Sequence, residues 1–206
     1  MTGASGSTRL GECRQQPLPY GVACRGVLCC VWETARLLAS RHIHLPDERV
    51  GLKLRFANGT SGRVYRETVV DREKETEPCV LVVSFRLRLV HGVMHRLFRW
   101  ESLLNTPLFV GFPGFVSKLW VAHDRDGVYR GVYEWDGPQR AEHYARCLWR
   151  VLALVSASGS IAYTVVPGVS RDEMLANAGR AAAHSYTVPE WARVISLDDA
   201  PRELAP

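Results

Sequence analysis

Lysine is scarce in this chain of 206 residues: among 26 basic side chains only Lys53, Lys74 and Lys118 are lysine, and the others are arginine. No Cys-x-x-Cys pair occurs among the cysteines at 13, 24, 29, 30, 79 and 147, which disfavours a structural zinc site or a thioredoxin-like centre. Long apolar runs are also missing. The most apolar N-terminal stretch, 22–39, is interrupted by Arg25, Glu33 and Arg36, whereas a spanning helix needs roughly 18 residues with few or no charges. A secretory signal is disfavoured on the same grounds. These absences predict a soluble protein of a reducing cytoplasm, in which Cys79 and Cys147 act as small hydrophobes.

What is present suits one domain with a genuine core: 47% of the residues are hydrophobic. The net charge of +5 is uneven, with 16 basic and 9 acidic residues in positions 1–100 against 10 and 12 afterwards. The arginines are scattered and no nucleic-acid-reading motif accompanies them, so no nucleic-acid partner is expected.

Residues 1–19 are rich in Gly, Ser, Pro and Gln and read as a disordered tail. Within 20–45, Leu28, Val31, Trp32, Ala35 and Leu38 recur at helical spacing and predict an amphipathic helix. That helix packs on the main domain or lies on a membrane surface, with Arg36 and Arg41 favouring peripheral contact. In 46–78, two alternating runs flank Asn58-Gly59 and predict a hairpin over 50–57 and 62–70, followed by the charged segment DREKETEP. The hairpin is expected to be an addition to the core, separable from it at residue 78.

Segment 79–170 is the most regular. A β-rich run from Cys79 precedes helical spacing through Val93, Leu97, Trp100 and Leu104. Two strands then flank the turn at Asp124-Arg-Asp-Gly127; a helix runs from Pro138 to about Val155, capped by Asp136, and a final strand follows Gly159. The order β-α-β-β-α-β is the ferredoxin-like arrangement, an α+β fold with both helices on one sheet face. An apolar face without helices needs cover, which predicts a homodimer. Residues 171–206 read as a C-terminal tail with a short helical stretch at Met174–Ala183.

The succession of Pro113-Gly114-Phe115, a strand with Lys118 and Trp120, a partner strand with Gly131 and Tyr133, and a helix with Ala141 and Tyr144 resembles the dimeric α/β-barrel superfamily. The likeness spans 79–168 and is nearest to the antibiotic-biosynthesis-monooxygenase-like proteins and their YdhR-type branch. It implies a homodimer with a small-ligand pocket between sheet and helices. It also implies oxidation of aromatic, polyketide-like substrates by molecular oxygen with no metal or flavin cofactor, haem cleavage, or ligand binding alone. Haem-cleaving relatives place an asparagine on the first strand, and CVLVVSFRLRLV has none.

Several residues carry candidate chemistry. His91 and His95 have the spacing of two ligands on a helix but lack a third, and His42 and His44 are no better placed, so no metal is expected. Lys118 and Glu134 occupy partner strands and either pair with each other or face solvent, depending on register. Lys118 is a candidate to orient an anionic or phenolic substrate. His143 is the candidate general base, because imidazole titrates near neutral pH. Trp100, Trp120, Tyr133, Trp135, Tyr144 and Tyr163 form either an aromatic core or the walls of a pocket for a flat apolar ligand, with Asn105 and Arg150 as polar contacts. Two functions follow: a cofactor-independent monooxygenase-like enzyme acting on a small aromatic substrate, or a non-catalytic ligand-binding or regulatory dimer, docked on a membrane surface through its N-terminal helix.

Overall fold

The computed structural model describes residues 16–71, 76–88, 106–179 and 188–198. The helix expected over 92–104, with Trp100, Asn105, His91 and His95, lies outside the described residues, as does most of the N-terminal tail.

Runs rich in β-branched and aromatic residues produce most of the strands. These are β1 (Ile43–His44), β2 (Lys53–Phe56), β3 (Ser61–Val70), β4 (Pro78–Arg86), β5 (Phe115–Val121), β6 (Val128–Asp136), β7 (Ala162–Pro167) and β8 (Val194–Asp198). The helices are α1 (Tyr20–Ala39), α2 (Pro138–Val155) and α3 (Arg171–Ala176). Gly59 adopts φ 81° in the β2–β3 turn and Gly127 φ 76° in the β5–β6 turn, conformations that residues with a Cβ rarely take. Gly137 caps α2 and Pro138 opens it. Asp136 is not the cap: its carboxylate accepts hydrogen bonds from the Thr76 and Glu77 amides at 2.9 Å and ties the preceding loop to the helix start.

The sheet runs β7-β4-β6-β5-β3-β2-β8, with every described pairing antiparallel and β1 beside β3. Its first four strands, numbered in chain order, read 4-1-3-2, the ferredoxin-like order. The β2–β3 hairpin is not an appendage. β3 pairs along β5 from Val64↔Val121 to Val69↔Ser117 and continues the central sheet, so the hairpin and the strands after residue 78 share one sheet.

One sheet face presents Leu81, Val83, Trp120, Tyr133 and Tyr163 to α1, α2 and the 106–115 segment. Gly111 permits the close seat of α1 there, because a Cβ would stand 2.1 Å from the Cys30 carbonyl oxygen. The other face presents Val80, Val82, Leu119 and Val132, and the chain covers it itself with Leu54, Phe56, Val169, Met174, Leu175, Ala192 and Val194. The bare sheet face from which the barrel-type homodimer was expected is therefore absent: β2, α3 and the strand β8, which lies in what reads as a tail, fill it.

Helix α1 also departs from the expected orientation. It buries Ala23, Cys30, Thr34 and Leu37, while Leu28 and Trp32 stand 70% and 76% exposed. Small residues allow the closer approach to Gly111 and α2, and the larger apolar stripe is left outside. No described helix is long and apolar enough to cross a membrane.

Candidate functional site

Between the helix-bearing sheet face and the C-terminal half of α2 lies a cavity of about 440 Å³. The sheet contributes Tyr65, Phe85, Lys118, Trp120, Tyr129 and Tyr133. Tyr144, Leu148, Val151 and Leu152 come from α2, and Leu108 and Phe109 from the segment that crosses over to β5. Its size falls within the usual range for small-molecule pockets, roughly 300–1,000 Å³, and its walls are largely aromatic and aliphatic. Gly131 sits opposite Trp120, where a Cβ would meet the Tyr133 ring at 2.6 Å.

Register places Lys118 there. The pairing that runs back from the hairpin turn, beginning at Val121↔Arg130, sets Lys118 against Tyr133 and Ser117 against Glu134, so the lysine and the glutamate occupy opposite faces and do not pair. Glu134 instead accepts from Ser117 Oγ at 3.1 Å and from the Arg171 amide at 3.1 Å. Lys118 is 6% exposed. Its Nζ lies 3.1 Å from the centroid of Trp120, 4.4 Å from that of Phe109 and 4.7 Å from that of Tyr133. Burial, and after it the nearby Arg66 charge, push the lysine well below its ordinary pKa, while the rings favour an ammonium.

The other polar groups are fixed by hydrogen bonds. Tyr144 donates to the Tyr133 hydroxyl at 3.2 Å, and burial raises both phenols, which keeps them protonated. Trp120 Nε1 donates to Thr68 Oγ1 at 3.1 Å. The Arg66 guanidinium also lies over Trp120, 4.4 Å from its centroid, and donates to Thr106 Oγ1 at the start of the crossing segment.

The candidates thus divide. Lys118, Trp120, Tyr133 and Tyr144 meet at the cavity. Trp135 is fully buried beside Tyr144, with centroids 4.8 Å apart, and serves as core beneath the site. Tyr163 packs edge-on against Trp149 and is core as well. Arg150 is committed elsewhere: its Nε donates to the Leu18 carbonyl at 2.9 Å and its guanidinium covers Tyr20. His143 is exposed and does not line the cavity. Its neighbour Tyr144 takes the inward position, and one residue along a helix turns a side chain by about 100°, so the expected base points away from the pocket. Phe109, Tyr65 and Phe85 line the cavity unforeseen, since the sequence shows that they are aromatic but not that three separate elements converge. Among the described residues, no group of three or more His, Cys, Asp or Glu could hold a metal ion.

No protein-family model matches the chain, and neither does any curated protein. Solved structures similar to it include an uncharacterized ferredoxin-fold protein related to antibiotic biosynthesis monooxygenases from Listeria monocytogenes 4b F2365, 14% identical with TM-score 0.37. That match covers 53% of this chain and 64% of the other, so the chain spans less than two thirds of that structure's length. A monooxygenase-like protein from Listeria innocua is 15% identical over 54% of this chain and 67% of its own, with TM-score 0.37. An anthrone oxidase-like protein is 15% identical over 53% and 54%, again with TM-score 0.37. The fold itself rests on strand order: the chain is ferredoxin-like.

Proposed function

We propose that the chain is a monooxygenase-like enzyme that encloses a small, flat aromatic molecule and oxidises it with molecular oxygen, without a cofactor. One observation carries this reading: a buried lysine amine opens onto an aromatic-walled cavity of about 440 Å³. Lys118 is the base. Its Nζ removes a proton from a phenol or from a CH2 group activated by flanking rings, and the substrate anion passes electrons to oxygen. A CH2 group then loses two hydrogens and gains one oxygen as a carbonyl, and the second oxygen atom leaves as water. Apolar walls favour the reaction by holding the planar substrate against the base and excluding bulk water.

The test is oxygen uptake by the purified chain with a hydroxylated anthrone, a planar molecule bearing such a CH2 group. Uptake above the blank is expected, and Lys118→Met should reduce turnover by about 10² or more, the range for a lost general base. His143→Gln should leave turnover unchanged, because His143 is outside the cavity. Undiminished turnover in the Lys118 variant would exclude Lys118 as the base. Binding of the anthrone with no uptake would favour a ligand-binding protein instead.

A further inference from the structure

The same amine is arranged for a second kind of chemistry. No carboxylate or imidazole lines the cavity among the described residues, and Lys118 has neither an ion pair nor a hydrogen bond among them. A lysine used only for structure ordinarily finds such a partner when buried. Here its Nζ is surrounded instead by the rings of Phe109, Trp120 and Tyr133, and no hydrogen bond or ion pair among the described residues occupies the nitrogen.

We propose that Lys118 is a covalent attachment point, whose Nζ forms an imine with a flat aromatic aldehyde or ketone held in the cavity. The proposal rests on reading the cavity as a ligand pocket but does not need the oxygen chemistry. The nitrogen lone pair adds to the carbonyl carbon and gives a carbinolamine. A proton passes from nitrogen to the former carbonyl oxygen, which leaves as water while the C=N double bond forms. No oxidant or reductant is consumed. The Tyr133 hydroxyl, which accepts from Tyr144, keeps its own proton available to relay to the departing oxygen.

Burial and the Arg66 charge favour the neutral, nucleophilic form of this amine. Arg66 from β3 adds positive charge over the shared Trp120 ring, and burial disfavours a second cation beside it. Tyr65 from β3, Tyr133 from β6 and Tyr144 from α2 supply phenols. The largely apolar walls also disfavour hydrolysis of a formed imine.

The full-length chain is incubated with 2-naphthaldehyde at neutral pH and reduced with sodium borohydride, and the modified residue is located by peptide mass mapping. The chain's few lysines make the assignment clean. Trapping should add the mass of the aldehyde less one oxygen atom, and modification at Lys118 should exceed that at any other lysine by about ten-fold or more, as expected for a desolvated amine. Naphthalene, which lacks a carbonyl, should protect Lys118 by occupying the same cavity, so the result does not depend on a variant that folds poorly. If tryptophan fluorescence reports naphthaldehyde binding but Lys118 is modified no faster than the other lysines, the imine is excluded and the pocket stands. If neither naphthaldehyde nor naphthalene binds, the pocket reading falls and the imine with it.

Discussion

Lys118 places an energetic cost at the centre of the molecule. Burial depresses its pKa, so between that depressed value and the ordinary lysine value the unfolded chain binds a proton that the folded chain releases. Stability therefore rises with pH across this interval. Lys118→Met removes the charge and keeps an apolar stem of similar length. It should raise the thermal midpoint at neutral pH, and the gain should shrink as pH climbs toward the ordinary lysine range. A gain that stays constant across the interval would show that the effect is packing alone. The residue type was visible in the sequence, but its surroundings were not. The register of the β5–β6 hairpin decides that Lys118 and Trp120 share a face with Tyr133 while Glu134 turns away, and a one-residue shift would invert that assignment.

The elements are held together by polar contacts as well as by their apolar faces. Arg171 at the start of α3 places Nη2 2.7 Å from Glu67 Oε1 on β3, and both side chains are buried. Arg49 reaches the same oxygen at 3.1 Å from a more exposed position. Arg171→Leu should destabilise the chain by about 3 kcal/mol in urea unfolding, because a buried carboxylate loses its closest partner. A loss near zero would mean that Arg49 alone satisfies Glu67. Strands that flank a turn glycine, β2 and β3 around Gly59 and β5 and β6 around Gly127, were legible from the sequence. β8 was not, because VISLD is short and lies in a charged, Pro-flanked stretch whose pairing partner, β2, is over a hundred residues away. For α1 the period was legible and the buried side was not, since apolar residues occur on both sides and the smaller ones pack inward.

Across the whole molecule, a ferredoxin-like sheet is extended at one edge and closed over its second face by the same chain. Described residues before β4 and after β7 are therefore part of one core. Removing residues 1–77 deletes β3 and β2, exposing the edge of β5 and much of the apolar second face. The remainder should lose its cooperative thermal transition by circular dichroism; a folded remainder would restore the separable hairpin that the charged segment suggests. The strands β4 to β7 and helix α2 were legible because each carries its own local pattern. The closure was not, because it depends on contacts between distant segments that leave no local pattern.

The central claim is that the cavity holds an amine able to act uncharged, as a base or as a nucleophile. Its most direct test is an NMR pH titration of the lysine Cε signals, with Lys118 assigned by substitution of the other lysines. The expected result is a Lys118 signal that titrates well below the ordinary lysine range and shifts when an aromatic ligand fills the cavity. A Lys118 signal that titrates within the ordinary range and ignores the ligand would contradict the claim.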